Sequence, residues 1–466
     1  MDDTGKKRGR RRRWVLLLAL LLLALVAGAV AWWMYARSAA EVRRLQGEAT
    51  RQAQEIARLE QEQDDLLRRP QPQATEERPA VTETPAGMEE ELDRLVLETS
   101  TLRGLSLTER VGREWMSKEG LRAYLEQHFA EEYPQAEAEV DAQVMALLGL
   151  LEPGTDLYHL LLDLYTEQVA GFYDPKAGRM YLVAEALGPM EKLVFVHEYV
   201  HALQDRLFGL GTQLDALKAD DDRALALEAL AEGDATLLME QYLLAHMAEL
   251  MTPDLLDQVY GIETPLFDAA PYAVRQQLMF PYEAGFLFAW TLYDEGGWAG
   301  IDAAWKDPPH SSEQILHPER YPDDSPQAVS LPPLTATLGA GWRLRGQDTL
   351  GEFMLRLHLE AYLDQADVDR AATGWDGDRY ALYERDGEPC LVIALIWDDA
   401  EEAGEFVEVY QNLAGVRYGT AGKGAAGEGM WWAGRSGLYL KWQDNRVWLV
   451  LTPERSTAEA VARELR

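Results

Sequence analysis

His197-Glu198-Tyr199-Val200-His201 is an H-E-x-x-H motif. Two histidines four residues apart on a helix project from one face. Held that way, two imidazoles can grip one Zn²⁺ at about 2.0–2.1 Å. Glu198 falls beside them, where it can take a proton from an activated water molecule. The chain has only eight histidines. Composition alone would give such a motif in roughly one chain in a hundred.

The flanking sequence supplies the helix that the motif requires. Pro189 stands at a position that a helix start tolerates, and Leu193, Val196, Val200, Leu203 and Leu207 recur at helical spacing. No glycine or proline interrupts them. Just upstream, 168–173 and 179–183 are aromatic or β-branched and flank Asp174-Pro-Lys-Ala-Gly178, which predicts a β-hairpin. Downstream, a long helical stretch runs from Asp222 to Leu250. Catalytic zinc usually has three protein ligands and an open position. On this second helix Glu228 and Glu232 are four apart and share a face, so either could turn inward to close a His₂Glu set. Most glutamates on helices are simply solvated, and spacing alone does not choose between them.

A hairpin, an H-E-x-x-H helix and then a helix carrying Ala229-Leu-Ala-Glu-Gly-Asp-Ala235 resembles the gluzincin branch of the zincin metallopeptidases. The resemblance covers roughly 168–242. In many gluzincins the ligand glutamate directly precedes a glycine, and Glu232-Gly233-Asp234-Ala235 matches that pattern. The resemblance therefore implies His197, His201 and Glu232 as zinc ligands, with Glu228 as the other candidate. It implies Glu198 as the base and the hairpin as an edge strand on which an extended peptide is laid. More loosely, 90–325 is similar to an uncharacterised group of membrane-anchored prokaryotic zincin-like proteins, in which 281–285 and 308–318 have counterparts. A peptidase also needs a donor for the developing oxyanion. His310, His317 and Tyr282 are the candidates in the segment that returns after the site helices.

The rest of the chain sets the context. Its 466 residues carry a formal net charge of −35, and residues 1–13 hold seven Lys/Arg against two Asp, leaving about −40 on the remainder. Such a surface repels nucleic acid. The single cysteine, Cys390, excludes an internal disulfide and a cysteine-based metal site. Segment 1–13 reads as a basic cytoplasmic tail, 14–35 as an uncharged transmembrane helix, 36–69 as a coiled-coil-like stalk and 70–87 as a Pro/Glu/Thr-rich disordered linker. The stalk admits two readings, pairing two copies in a homodimer or standing as a single solvated helix.

A zincin-like domain is expected over 88–333. It is mainly helical over 90–168, then carries the hairpin, the two site helices, a helix between Pro271 and Pro281, another over 283–295, and a proline-rich irregular stretch over 305–333. A small α+β module is expected over 334–466. Its strands are read at 379–383, 390–397, 437–442 and 446–451, with helices at 349–366, 400–410 and 456–466.

These readings predict an α+β protein that acts as a zinc-dependent endopeptidase on peptide or protein substrates, anchored by one helix with its catalytic domain outside the cytoplasm. Two rivals accompany it: a catalytically silent zincin-fold binding or scaffold protein of the cell envelope, and a hydrolase of non-peptide substrates. The sequence names no substrate.

Overall fold

The computed structural model describes residues 81–82, 88–184, 186–419 and 429–465. A short strand β1 (Val81–Thr82) precedes helix α1 (Met88–Arg103). Strand β2 (Gly112–Met116) follows, then α2 (Lys118–Glu132), α3 (Gln135–Leu148) and α4 (Leu157–Gln168). Side-chain caps start α2 and α4, where Ser117 and Asp156 accept from the main-chain N–H three residues on. Gly149, in the left-handed region, ends α3. Strands β3 (Gly171–Asp174) and β4 (Arg179–Val183) form the hairpin, and the turn is tied by Asp174 Oδ1 accepting from the main chain of Lys176 and Ala177.

Helix α5 (Pro189–Phe208) carries the motif. Proline opens it, and the Glu191 carboxylate reaches back to accept the Gly188 N–H at 2.9 Å. Gly209 at φ 74° closes it. Helix α6 (Asp221–Ala245) starts under an Asp220 cap, with Asp221 and Asp222 in its first turn, where acids suit the positive end of the helix dipole. It runs through the centre of the molecule and is buried on almost every face. Helix α7 (Tyr272–Gly296) crosses it where two glycines meet. A methyl on Gly233 would lie 2.0 Å from the Gly285 carbonyl oxygen, and one on Gly285 would lie 2.1 Å from that of Ala229. Helices α8 (Trp298–Ala304) and α9 (Ser312–Leu316) follow α7, and shorter helices at Leu210–Ala216, Met247–Leu250, Pro253–Tyr260 and Pro265–Ala269 connect the long ones.

The second half holds strands β5 (Arg343–Asp348), β6 (Trp375–Arg385), β7 (Glu388–Trp397), β8 (Met430–Trp432), β9 (Leu438–Gln443) and β10 (Arg446–Leu451). With them come helices α10 (Gly351–Glu360), α11 (Gln365–Ala372), α12 (Ala400–Tyr418) and α13 (Arg455–Glu464). All its strand pairs are antiparallel, in the order β5-β6-β7-β10-β9-β8.

This architecture corrects the expected fold class in several respects. The hairpin is not an isolated pair but the edge of a four-stranded mixed sheet, β1-β2-β4-β3, because β2 pairs in parallel with β4. Strand β2 lies inside the run read as helical. Its five residues are too few to show a period, and its partner is far away in sequence. The second sheet has six strands rather than four, and the two that escaped the reading, β5 and β8, are its edges. Edge strands are short or charged, and β5 has a register shift between Leu344 and Gly346, so neither shows a clean alternation. Pro281 does not bound a helix but sits within α7. The ring costs one hydrogen bond, and packing along α6 holds the helix together across it. The halves also share one hydrophobic core, in which Phe280 and Phe353 meet with ring centroids 4.1 Å apart.

The membrane expectation is corrected as well. Among the described residues no helix is long and apolar enough to cross a membrane, so the single-pass anchor and the extracytoplasmic localisation drawn from it find no support. The segments that suggested them, the tail at 1–13, the helix at 14–35, the stalk at 36–69 with its homodimer, and most of the linker at 70–87, lie outside the described residues.

Candidate metal centre

One turn of α5 brings His197 and His201 onto the same side, toward α6. Their Nε2 atoms lie 3.0 Å apart. Glu232 Oε2 approaches from α6, 3.2 Å from His197 Nε2 and 3.6 Å from His201 Nε2. A tetrahedral zinc site with bonds near 2.0–2.1 Å has ligand atoms about 3.3–3.4 Å apart. The three separations bracket that value, so the donor set and its spacing both fit Zn²⁺. Glu228, one turn earlier on α6, is buried but outside this triangle, and lines a cavity between the two halves with Asp141 and Tyr165.

The surrounding groups divide sharply. Neither carboxylate oxygen of Glu198 has a well-formed hydrogen bond, nor do His197 Nδ1 and Glu232 Oε1. His201 Nδ1, by contrast, meets Gln204 Oε1 at 2.7 Å. Burial pushes Glu198 up to about 8, with the main chain of Tyr173 on β3 pulling weakly the other way. Burial also drives His197 down to about 4. Burial opposes a charge on His201 too, but the Glu232 carboxylate outweighs it and raises His201 to about 9. Glu232 stays below its ordinary value despite burial, because the two imidazoles face it.

Tyr282, on α7, lies over this group. Its ring is 22° from the plane of His197 with centroids 6.5 Å apart, and its hydroxyl donates to Glu232. The Gly233–Gly285 crossing allows α7 to come this close. His317 is not brought into the cluster. It caps α9, and its Nε2 meets Glu352 of α10 at 3.1 Å, in the junction between the halves. His310 is likewise elsewhere, 3.0 Å from Ser325 Oγ. The cluster is enclosed: His197, Glu198 and Tyr282 have no exposed surface, and His201 only 4 %.

Sequence reasoning missed the groups behind His201. Gln204 lies one turn after it on α5, a signal that was available. Asp234 sits inside the Glu-Gly-x-Ala pattern, and Arg103 at the end of α1 and Trp305 just past α8 reach it with no local signal.

Residues 341–462 match a family described as a domain of unknown function (DUF8575), which spans the second half from the start of β5 into α13 and includes none of the residues of the donor cluster. No curated protein and no solved structure matches the chain.

Proposed function

We propose that the protein is a zinc-dependent metallopeptidase, with His197, His201 and Glu232 as metal ligands and Glu198 as the general base. The observation that carries this reading is Glu198. It is a buried carboxylate without a well-formed hydrogen bond, next in sequence to a ligand histidine, and a purely structural metal site has no use for it. Zn²⁺ held by the three donors would supply Lewis acidity toward a carbonyl oxygen and make water a better nucleophile near neutral pH. Glu198 accepts the proton of the attacking water and returns it to the leaving amine. Tyr282 holds the Glu232 carboxylate in place through its hydroxyl. Strand β3 has an outer edge unpaired by any strand among the described residues and runs past Glu198, where an extended peptide can be laid.

A second reading is favoured by the enclosure of the cluster. Groups with no exposed surface meet a peptide only if neighbouring elements move, as they would not in a zincin-fold scaffold that binds metal without turnover. One experiment separates the two. The purified protein should hold about one zinc per chain, and Glu198→Gln should keep that zinc while losing roughly 10²–10⁴-fold in peptide hydrolysis. Equal cleavage by Glu198→Gln and the parent would remove Glu198 as base. Zinc in both with no cleavage of a broad peptide library would favour the scaffold.

A further inference from the structure

The two ligand histidines are held differently. His197 Nδ1 has no hydrogen-bond partner, whereas His201 Nδ1 lies 2.7 Å from Gln204 Oε1. A glutamine amide can be turned either way, so its orientation has to come from its other contacts. Gln204 Nε2 lies 2.9 Å from the Ala231 carbonyl oxygen and 3.2 Å from Asp234 Oδ2. The Ala231 carbonyl oxygen only accepts, and Asp234 Oδ2 already accepts from Arg103 and Trp305, so the NH₂ end must face them and the oxygen must face His201. His201 Nδ1 must then carry a proton, which leaves Nε2 as the atom for a metal.

Asp234 is itself immobilised. Arg103 Nε and Nη2 donate to its two oxygens at 2.8 and 3.2 Å, and Trp305 Nε1 donates at 3.0 Å. Arg103 is anchored in turn by Asp302 at 2.8 Å, and Arg103 and Asp234 are both fully buried. A charge-assisted fork of this kind fixes direction as well as position. Helices α1, α6 and α8, with the residue that ends α8, thus converge on one amide of α5.

We infer that Gln204 is a positioning residue for the metal centre, and that Asp234, pinned by Arg103 and Trp305, sets its polarity so that His201 is presented through Nε2. The inference rests on the zinc-centre reading above and adds which residue prepares one ligand. Outer partners of this kind typically contribute 10–100-fold to metal affinity.

The test uses the full chain and zinc itself, with two substitutions chosen to separate positioning from packing. Gln204→Met keeps the volume and removes the acceptor. It should weaken zinc binding 10–100-fold in a chelator competition while the metal-free protein melts close to the parent. Gln204→Glu keeps an acceptor toward His201 but sets a second carboxylate against Asp234 and Ala231. It should lower the melting temperature yet hold zinc within a few-fold of the parent. In the zinc-loaded parent, ¹⁵N-histidine spectra should show His201, assigned by its loss in His201→Gln, protonated at Nδ1 in a slowly exchanging hydrogen bond. That signal should survive in Gln204→Glu and exchange away in Gln204→Met. Metal coordination through His201 Nδ1, or zinc affinity that merely follows melting temperature across the two variants, would overturn the inference and leave the zinc centre standing. A parent that binds no zinc would overturn the centre instead.

Discussion

The buried aspartates at the junction of the halves and Glu198 in the donor cluster are treated in opposite ways. At the junction of the halves Asp222, Asp348 and Asp378 are each almost fully buried, and each has main-chain donors. Asp222 accepts from Ser312 N, Asp348 from Asp221 N and Thr349 N, and Asp378 from Leu350 N and Gly351 N. In the donor cluster, Glu198 has no well-formed hydrogen bond and one oxygen of Glu232 has none. Desolvating a polar group without a partner costs about 1–3 kcal/mol, so sequences retain such groups where something other than stability requires them. A single carboxylate oxygen without a partner occurs in both regions, at Glu352 in the joint and at Glu232 in the cluster, but Glu198 lacks a well-formed hydrogen bond on both oxygens. The aspartates held by main-chain donors serve the joint, and an acid left without them beside two imidazoles points to a site. Helix α6 joins the regions, with Asp222 in its first turn and Glu232 ten residues on.

If that contrast is right, substitutions in the cluster should cost metal and activity before they cost stability. His197→Ala and His201→Ala carry the largest expected effect, loss of stoichiometric zinc measured by elemental analysis. The metal-free melting temperature should stay near the parent's or rise. Stoichiometric zinc in the double alanine variant would show that the three donors are not the metal site.

Between the two ends of α6 sits Gly233, and a methyl there probes how tightly the scaffold defines the cluster. Its nearest neighbour would be backbone at 2.0 Å, which cannot rotate away. Gly233→Ala should destabilise by about 1–3 kcal/mol and loosen zinc by moving Tyr282 off His197 and Glu232. Gly404→Ala, on α12 with nothing near the new methyl, should instead stabilise by about 0.5–1 kcal/mol. Thermal melts that fell equally for both would mean that the close crossing of α6 and α7 is not what Gly233 provides.

The same contrast explains what could be read from the chain alone. The motif, its helix and the hairpin are local patterns, with spacing and turn residues that announce themselves within twenty residues. Glu232 needed more than spacing, since Glu228 shares its face. The distinction is that Glu232, and not Glu228, lies within reach of both imidazoles of α5, which no reading of α6 alone reveals. Strand β2, the edge strands β5 and β8, and the Arg103–Asp234 pair depend on partners remote in sequence. Histidine 317 before a proline looked like a site residue, but Glu352, in a half with no visible chemistry, is its partner.

The joint should show its effect only through pH. Burial pushes Asp222 up to about 8, helped by the neighbouring carboxylates of Asp378 and Asp220, against the pull of its Ser312 hydrogen bonds. An unfolded aspartate titrates near 3.9, so between that value and about 8 the folded state holds more protons than the unfolded one. Stability from this group is therefore present in full below pH 4 and is lost as the pH rises through 8. Asn at this position keeps an acceptor for Ser312 and does not titrate. Relative to the parent, Asp222→Asn should be close to neutral at pH 4 and gain on it as the pH rises toward 8, by up to about 1.4 kcal/mol per pH unit, read as a flatter dependence of denaturant midpoint on pH. Zinc content should not change, because Asp222 is outside the donor triangle. Parallel pH profiles for the two proteins would mean that Asp222 is ionised in the joint at neutral pH, and that the main-chain donors there compensate a full buried charge. The line drawn between satisfied acids and reactive ones would then have to be moved.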